Sequence, residues 1–300
     1  MLSILIPYYK KVFFELTLIS LDNQTNKNFN VYIFDDNSPE CPNQLIEEYK
    51  KKINIKYFKF SNNLGGNSLV QHWERCLEKI ENTQWLIILG DDDVLGENVV
   101  QCFFENINDV NKLKISLIRY STIVIDSKDN KISKKHEHPL IEKSTTSLIR
   151  KIKNETRSSL SEYIFKYEVF KNYKIIDLPN ALFSDDLMLL NHSDFQNLYS
   201  INAATVFIRR SEFNLSGGFL MSNRHIAIIK FYKILLLDLK NNFEKFEINL
   251  IEKKFEKELF NHKKIEIGFF FIGYYIRNFK ILSLIRYFHT IIKKTIKHFF

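Results

Sequence analysis

The chain has 300 residues, 45% hydrophobic and 26% charged, enough to bury the core of one large domain or two small ones, which excludes disordered and fibrous classes. Its three cysteines, Cys41, Cys76 and Cys102, are an odd number without Cys-x-x-Cys spacing; this excludes a disulfide framework and a cysteine-based zinc site and fits a reducing cytosol. The formal charge of +8 is lopsided, because residues 261–300 carry eight Lys and Arg against the single acid Glu266, so the excess belongs to the tail and not to the body. The opening apolar run, residues 2–6, stops at Pro7 with no basic leader and reads as a buried strand, not a secretory signal. Apolar spacing predicts a helix over 12–23, a strand over 30–36, a helix over 42–52 and a strand over 55–60. A turn at Asn62-Asn63-Leu64-Gly65-Gly66 follows, its paired glycines suited to positive φ. Next come a helix over 68–80 and a strand over 85–90 that runs into Asp91-Asp92-Asp93.

Beyond residue 105 the pattern weakens. Residues 115–126 read as a strand, 128–147 as a polar loop region and 160–169 as mixed. Phe183-Ser184-Asp185-Asp186 is a second acidic turn before an apolar helix, 203–210 is a strand ending in Arg209-Arg210, Leu215-Ser216-Gly217-Gly218-Phe219 follows, and 226–239 is a helix. No internal repeat or low-complexity linker interrupts the chain, so the two halves are expected to share one core. The alternation implies an α/β fold with a doubly wound, mostly parallel central sheet flanked by helices, and a ligand crevice at the C-terminal strand edge. The expected divisions are 1–105 and 106–240, two halves of one domain, and 241–300, a helical basic and aromatic tail.

Three aspartates in a row after a hydrophobic strand repel one another by roughly 4 kcal/mol per close pair at an effective dielectric of 20. A hard divalent ion, Mg²⁺ or Mn²⁺, relieves that repulsion and takes the rest of its shell from substrate phosphates. A solvated turn in which one Asp caps the helix starting near Glu97 is the alternative. Asp35-Asp36-Asn37-Ser38 ends a strand at the same sheet edge, either to read a nucleobase and ribose or to form an Asx-turn before Pro39. His136-Glu137-His138 would place two imidazoles on one face of a strand, as a metal site needs, but lies in a lysine-rich polar stretch that argues against one; Arg209 or Arg210 either steadies a diphosphate or forms a surface salt bridge. The turn at residues 62–66 lacks the Gly-x-x-x-x-Gly-Lys pattern of a phosphate loop.

Taken in order, Ser3-Ile4-Leu5-Ile6-Pro7-Tyr8-Tyr9, Val31-Tyr32-Ile33-Phe34-Asp35-Asp36-Asn37-Ser38, the Asn62–Gly66 turn, His72-Trp73-Glu74-Arg75-Cys76-Leu77 and Ile88-Leu89-Gly90-Asp91-Asp92-Asp93 resemble the family 2 glycosyltransferases of GT-A fold. The resemblance covers residues 1–105 and extends more loosely to about 220. It implies a nucleotide-sugar donor, with Pro7, Tyr9, Asp36, Asn63 and Asp91 at nucleotide-binding positions and Asp92 and Asp93 as metal ligands, Asp92 foremost. Gly90 stands where many relatives have the first Asp of the metal motif, and His72 replaces a common Asn. Asp185 and Asp186 match the acidic pair that supplies the acceptor base; many relatives place that pair after the strand-and-glycine segment that residues 206–219 resemble. Either Asp can instead cap its helix.

The tail mixes these cations with ten aromatic residues, and its longest uncharged run, residues 267–276, is ten residues long; a spanning helix needs about 20. It is expected not to cross a membrane but to lie in the surface, rings at headgroup level and cations toward anionic lipid. A helix packed on the body with a solvated basic face is the alternative; nucleic acid is not an expected partner. The expected activity is transfer of a sugar from a nucleotide diphosphate, UDP foremost, to a hydroxyl of a glycan or lipid-linked acceptor in cell-surface polysaccharide synthesis, inverting, with Mn²⁺ or Mg²⁺, at the cytoplasmic face of the cell membrane. A sugar-nucleotide nucleotidyltransferase and a non-catalytic binding protein with the same fold are the rivals. The first needs a glycine-rich triphosphate loop after the opening strand, where Pro7-Tyr8-Tyr9-Lys10 has no glycine.

Overall fold

A computed structural model describes residues 1–212, 224–262 and 265–299, with side chains described at 1–212, 224–258 and 269–293. The Leu215–Phe219 segment of the sequence reading lies outside these residues. The opening alternation is β1 (Leu2–Tyr8), α1 (Phe14–Asp22), β2 (Phe29–Asp35), α2 (Asn43–Tyr49), β3 (Ile55–Lys59), α3 (Leu69–Leu77) and β4 (Trp85–Ile88). β1 pairs in parallel with β2 and β4, and β2 with β3. Both faces of β1 and β4 are covered, so these strands read as near-continuous apolar runs, broken only by the buried Ser3 of β1. Ser68 caps α3 by accepting a hydrogen bond from the Gln71 N–H.

The second half holds β5 (Val94–Leu95), α4 (Val99–Lys112), β6 (Leu117–Ile125), β7 (Ile141–Lys143), α5 (Ser144–Ile152), β8 (Tyr163–Lys166), α6 (Val169–Asn172), α7 (Ser184–His192) and β9 (Asn197–Arg209). One sheet runs in the order β3-β2-β1-β4-β8-β6-β9-β5, with β7 on β9. Its parallel character is concentrated in the first four strands. β8 pairs antiparallel with β4 and β6, and β5 and β7 antiparallel with β9, while β6 and β9 are parallel. Residues 128–147 do not form a loop throughout: β7 and the start of α5 lie there, hidden by polar composition. Two apolar clusters fill the opposite faces of the sheet and draw on both halves of the chain, one around Ile4, Ile33, Phe103 and Val206, the other around Leu5, Trp73, Phe165 and Met188.

The structure divides into two compact units, Met1–Phe231 and Tyr232–Phe300, and the division falls inside α8 (Arg224–Leu237). The second unit continues with α9 (Lys245–His262), α10 (Ile265–Arg277) and α11 (Ile281–Phe299). Its core is aromatic: Phe255, Phe271, Tyr274, Tyr275 and Tyr287 are buried against one another. The Tyr274 hydroxyl donates to Glu252 at 2.9 Å and that of Tyr275 to Glu256, while Lys280 and Arg286 neutralise the two carboxylates at 2.6 and 3.2 Å.

His192, at the end of α7, is buried among Phe165, Phe170 and Tyr173. Its Nδ1 lies 3.2 Å from the Met188 carbonyl, and among the described residues Nε2 has no partner. Burial lowers its pKa to about 4. Below the ordinary value near 6.5 the unfolded chain takes up a proton that the folded one refuses, so this contribution to stability is lost as pH falls through that window. His192→Phe keeps the packing and removes the titration. Its stability relative to the unsubstituted chain should therefore improve by about 1.4 kcal/mol per pH unit from near 6.5 toward 4. Urea titrations of both proteins across this range test it; a pH-independent difference would refute the assignment.

Candidate active site

A cleft of about 610 Å³ opens where the C-terminal ends of β1, β2 and β4 meet the β8 and α7 side of the sheet. This is the edge at which parallel strands present their loops. Its floor is the Asp91-Asp92-Asp93 turn, and the three carboxylates have different duties. Asp91 Oδ2 accepts hydrogen bonds from the Tyr9 and Lys10 backbone N–H groups at 2.8 and 2.9 Å, tying down the loop after β1. Asp93 is buried, with Oδ1 accepting from the Arg209 N–H at 2.9 Å and Oδ2 from the Ser161 hydroxyl at 2.5 Å. Asp92 is half-buried and lines the cleft, while its carbonyl accepts from Arg209 Nε at 2.9 Å. Arg209 is itself buried, stacked over the Phe13 ring at 4.5 Å and paired with Asp129 at 2.6 Å. The expected surface arginine is thus the clamp that fixes the acidic turn.

Gly90 has a steric reason. A Cβ there would come within 2.9 Å of Asp92 Oδ1 and 3.1 Å of Asp93 Oδ2, so the bare backbone lets both side chains pass over it. Burial and the crowding of like charges push the Asp92 pKa up to about 8, and burial foremost pushes Asp91 up to about 6 and raises Asp93. Among the described residues no group of three or more His, Cys, Asp or Glu is arranged to hold a metal ion. The arrangement nevertheless fits a hard cation. The Asp92 carboxylate borders the cleft with its charged form disfavoured by burial and by Asp93 and Asp91, so a cation there would relieve the repulsion and complete its shell from a substrate's phosphates.

Pro7, Tyr9, Asp36 and Asn63 all line the same cleft. Asp36 is buried, and its carboxylate is committed within the protein: Oδ1 accepts from the Leu64 N–H at 2.9 Å and from Arg75, and Oδ2 from the Gly65 N–H at 2.8 Å. Asn63 Oδ1 accepts from the Gly66 N–H at 2.7 Å. No described glycine has positive φ. The glycines of this turn serve close approach instead, since a Cβ on Gly65 would sit 2.6 Å from Asp36 Oδ2 and one on Gly66 3.1 Å from Asn63 Oδ1. His72 Nδ1 lies 3.1 Å from Arg75 Nε and 3.2 Å from Asp36 Oδ1, and burial lowers its pKa to about 4, so it is neutral. Asp35, fully buried, caps the Ser38 N–H at 2.7 Å and accepts from the Tyr57 hydroxyl at 2.6 Å.

The second acidic turn separates cleanly into two roles. Asp186 is fully buried and both its oxygens lie 2.6 Å from Lys151 Nζ; burial pushes its pKa up to about 6, against the pull of Lys151. Asp185 is half-buried and lines the cleft. It is presented by a tense stretch, because Asn180, Ala181 and Phe183 have φ of 58°, 53° and 68°, a region in which only Asn among these three residues is common. Lys151, Arg157, Ser161 and Arg224 complete the wall. The sequence reading missed these four, because Lys151 and Arg157 lie just beyond the stretch 128–147 read as loop and none belongs to a local motif. His136 and His138 do not form a metal pair: His136 bridges its backbone to Thr122, and His138 is buried, its pKa lowered by burial and by Arg119 and Arg150.

The family model described as Glycosyl transferase family 2 matches residues 3–176. No curated protein sequence matches the chain. Among solved structures, S. aureus TarS 1–349 in complex with UDP-GlcNAc is 16% identical with a TM-score of 0.64, covering 87% of this chain and 72% of that one. A longer S. aureus TarS structure is 16% identical with a TM-score of 0.61, and there the match covers 89% of this chain but 45% of the other. GalNAc-T7 with UDP, GalNAc and Mn²⁺ is 12% identical with a TM-score of 0.52, covering 90% of this chain and 57% of that one. At these identities the likeness carries the fold alone.

Proposed function

The chain belongs to glycosyl transferase family 2, and from that premise we propose that it transfers a sugar from a UDP-sugar to a hydroxyl of a glycan or lipid-linked acceptor, with inversion, in building a cell-surface polysaccharide on the cytoplasmic side. The observation that carries this reading is the division of labour in the acidic turn, where Asp91 and Asp93 brace the floor and Asp92 borders the cleft. UDP and UDP-GlcNAc bound in fold neighbours support the choice of nucleotide, and the free cysteines support the compartment.

Asp92 would hold the divalent cation, which when bound offsets the charge building on the departing diphosphate. Lys10, Arg157 and Arg224 add positive charge around the same space. Asp36, braced by Arg75 and the Leu64 and Gly65 amides, shapes the nucleotide end through the turn that it organises. Asp185 takes the acceptor hydroxyl's proton as the acceptor oxygen bonds to the anomeric carbon. The bond from that carbon to the diphosphate oxygen breaks at the same time, and the diphosphate leaves with the electron pair.

The test is turnover of UDP-, GDP- and CDP-sugars with glycan acceptors, with and without Mn²⁺, and NMR of the product anomer. UDP-sugar turnover that requires metal and inverts the anomeric centre is expected. Turnover confined to another nucleotide, a retained configuration, or full activity in chelator would each overturn the corresponding part.

A further inference from the structure

Residues 267–300 contain no Asp or Glu, and the structure shows which part of that basic segment faces outward. Of the aromatic residues described there, Phe271, Tyr274, Tyr275 and Tyr287 are consumed by the core of the second unit, while Phe269, Phe279 and Phe288 are exposed. The exposed apolar surface mixes these phenyl rings with aliphatic side chains. On α11, Ile281, Ile285 and Ile292 keep the i, i+4, i+11 spacing of one helical stripe and are all exposed, while Tyr287 turns the opposite side into the core. Leu282, 84% exposed, widens the stripe. Arg286 and Lys293, seven residues apart and both exposed, run along its border; Arg286 is shared with Glu256.

The α10–α11 turn adds an independent observation. Phe279 is 90% exposed and has φ of 53°. Its N–H donates to the Ile276 carbonyl at 3.1 Å and the Lys280 N–H to Tyr275 at 2.9 Å, a helix-ending turn that normally carries Gly or Asn. A phenyl ring at this position is unfavourable for the backbone and for its hydration alike. Such a residue makes sense where the ring enters an apolar medium.

We propose that the α10–α11 turn and the Ile281–Ile292 stripe form a docking face for a bilayer surface rich in anionic lipid, with Phe279 inserted and Arg286 and Lys293 at the phosphates. No described helix is long and apolar enough to cross a membrane, so the face lies on the bilayer. Charge complementarity selects this occupant. A second copy would bring two acid-free basic faces together.

The experiment is flotation of the full chain with vesicles of phosphatidylcholine alone and mixed with phosphatidylglycerol. Binding to the anionic vesicles that falls steeply with salt is expected. Phe279→Gly and Leu282→Glu should each weaken partitioning by about tenfold or more, and Lys293→Glu by about fivefold or more. Phe279→Gly also relieves the left-handed backbone, so unchanged or higher thermal stability shows that lost binding is not lost folding. Hydrolysis of a soluble donor sugar should persist in all three variants, which separates this inference from the reading of the cleft. Binding indifferent to phosphatidylglycerol, or Phe279→Gly and Leu282→Glu partitioning like the parent, would overturn it. So would a concentration-dependent dimer lost in Leu282→Glu with vesicle partitioning unchanged, which would assign the face to a second copy.

Discussion

Asp92→Asn is expected to lower glycosyl transfer by about a hundred- to a thousandfold, the scale of removing one group that stabilises charge developing in a buried transition state. The fold should survive. The carboxylates of Asp91 and Asp93 tie down distant segments of the chain, and the Arg209 clamp grips the Asp92 backbone carbonyl, which the substitution leaves in place. The metal-free variant should even be the more stable at pH 8. Burial and its neighbours raise the Asp92 pKa to about 8, so in the parent the folded state is progressively penalised as pH rises from the ordinary carboxylate range toward that value. UDP with Mn²⁺ should raise the melting temperature of the parent and leave the variant nearly unmoved. Asp91→Asn and Asp93→Asn should do the opposite, lowering thermal stability because each loosens a loop. Initial rates at saturating Mn²⁺ with parallel thermal melts distinguish these outcomes. A fully active Asp92→Asn enzyme would move the cation elsewhere.

The acidic turn was legible because three charges at the end of an apolar strand are visible in one short segment. How the three divide was not, since the partners lie far along the chain: Ser161 and Arg209 reach Asp93 across sequence separations of 68 and 116. The same limit hid Lys151. Its helix begins in a Ser- and Thr-rich stretch whose polarity mimics a loop, and only the pairing of β7 with β9 places it beside Asp186. Gly65 and Gly66 were correctly read as a turn but for the wrong reason. Backbone freedom is a local property that sequence suggests, whereas the closeness of Asp36 and Asn63 to their Cα atoms is set by tertiary packing. In the tail, composition announced basic and aromatic residues together, yet Tyr274 and Tyr275 turn inward, where Glu252 and Glu256 on α9 satisfy their hydroxyls, while Phe269, Phe279 and Phe288 stay outside. Charge and hydropathy fix how much apolar surface a segment carries; which residues face out depends on the helices against which it packs.

The adjacent acids Asp185 and Asp186 should respond to the same chemical change in opposite ways. Asp185→Asn is expected to cut kcat by about a hundredfold to ten-thousandfold, the usual contribution of a general base. The KM for donor and the melting temperature should scarcely change, because the carboxylate stands at the cleft wall and not in the core. Asp186→Asn strands Lys151, whose ammonium keeps its charge through that carboxylate although burial works against it. Breaking a fully buried pair from one side destabilises by about 3–5 kcal/mol; with the Lys151 side chain 25% exposed at the cleft the loss should fall below that range, and this variant should melt early while its folded fraction turns over near the parental rate. Removing both charges, as Lys151→Met with Asp186→Leu, should recover much of the lost stability, since a buried pair replaced by apolar groups of similar volume is close to neutral. Rates normalised to folded protein provide the discriminating measurement. If Asp186→Asn abolished turnover in a fully folded enzyme while Asp185→Asn did not, the proton would be leaving through the buried residue. Lys151 would then be the group that tunes it and not merely the one that holds it in place.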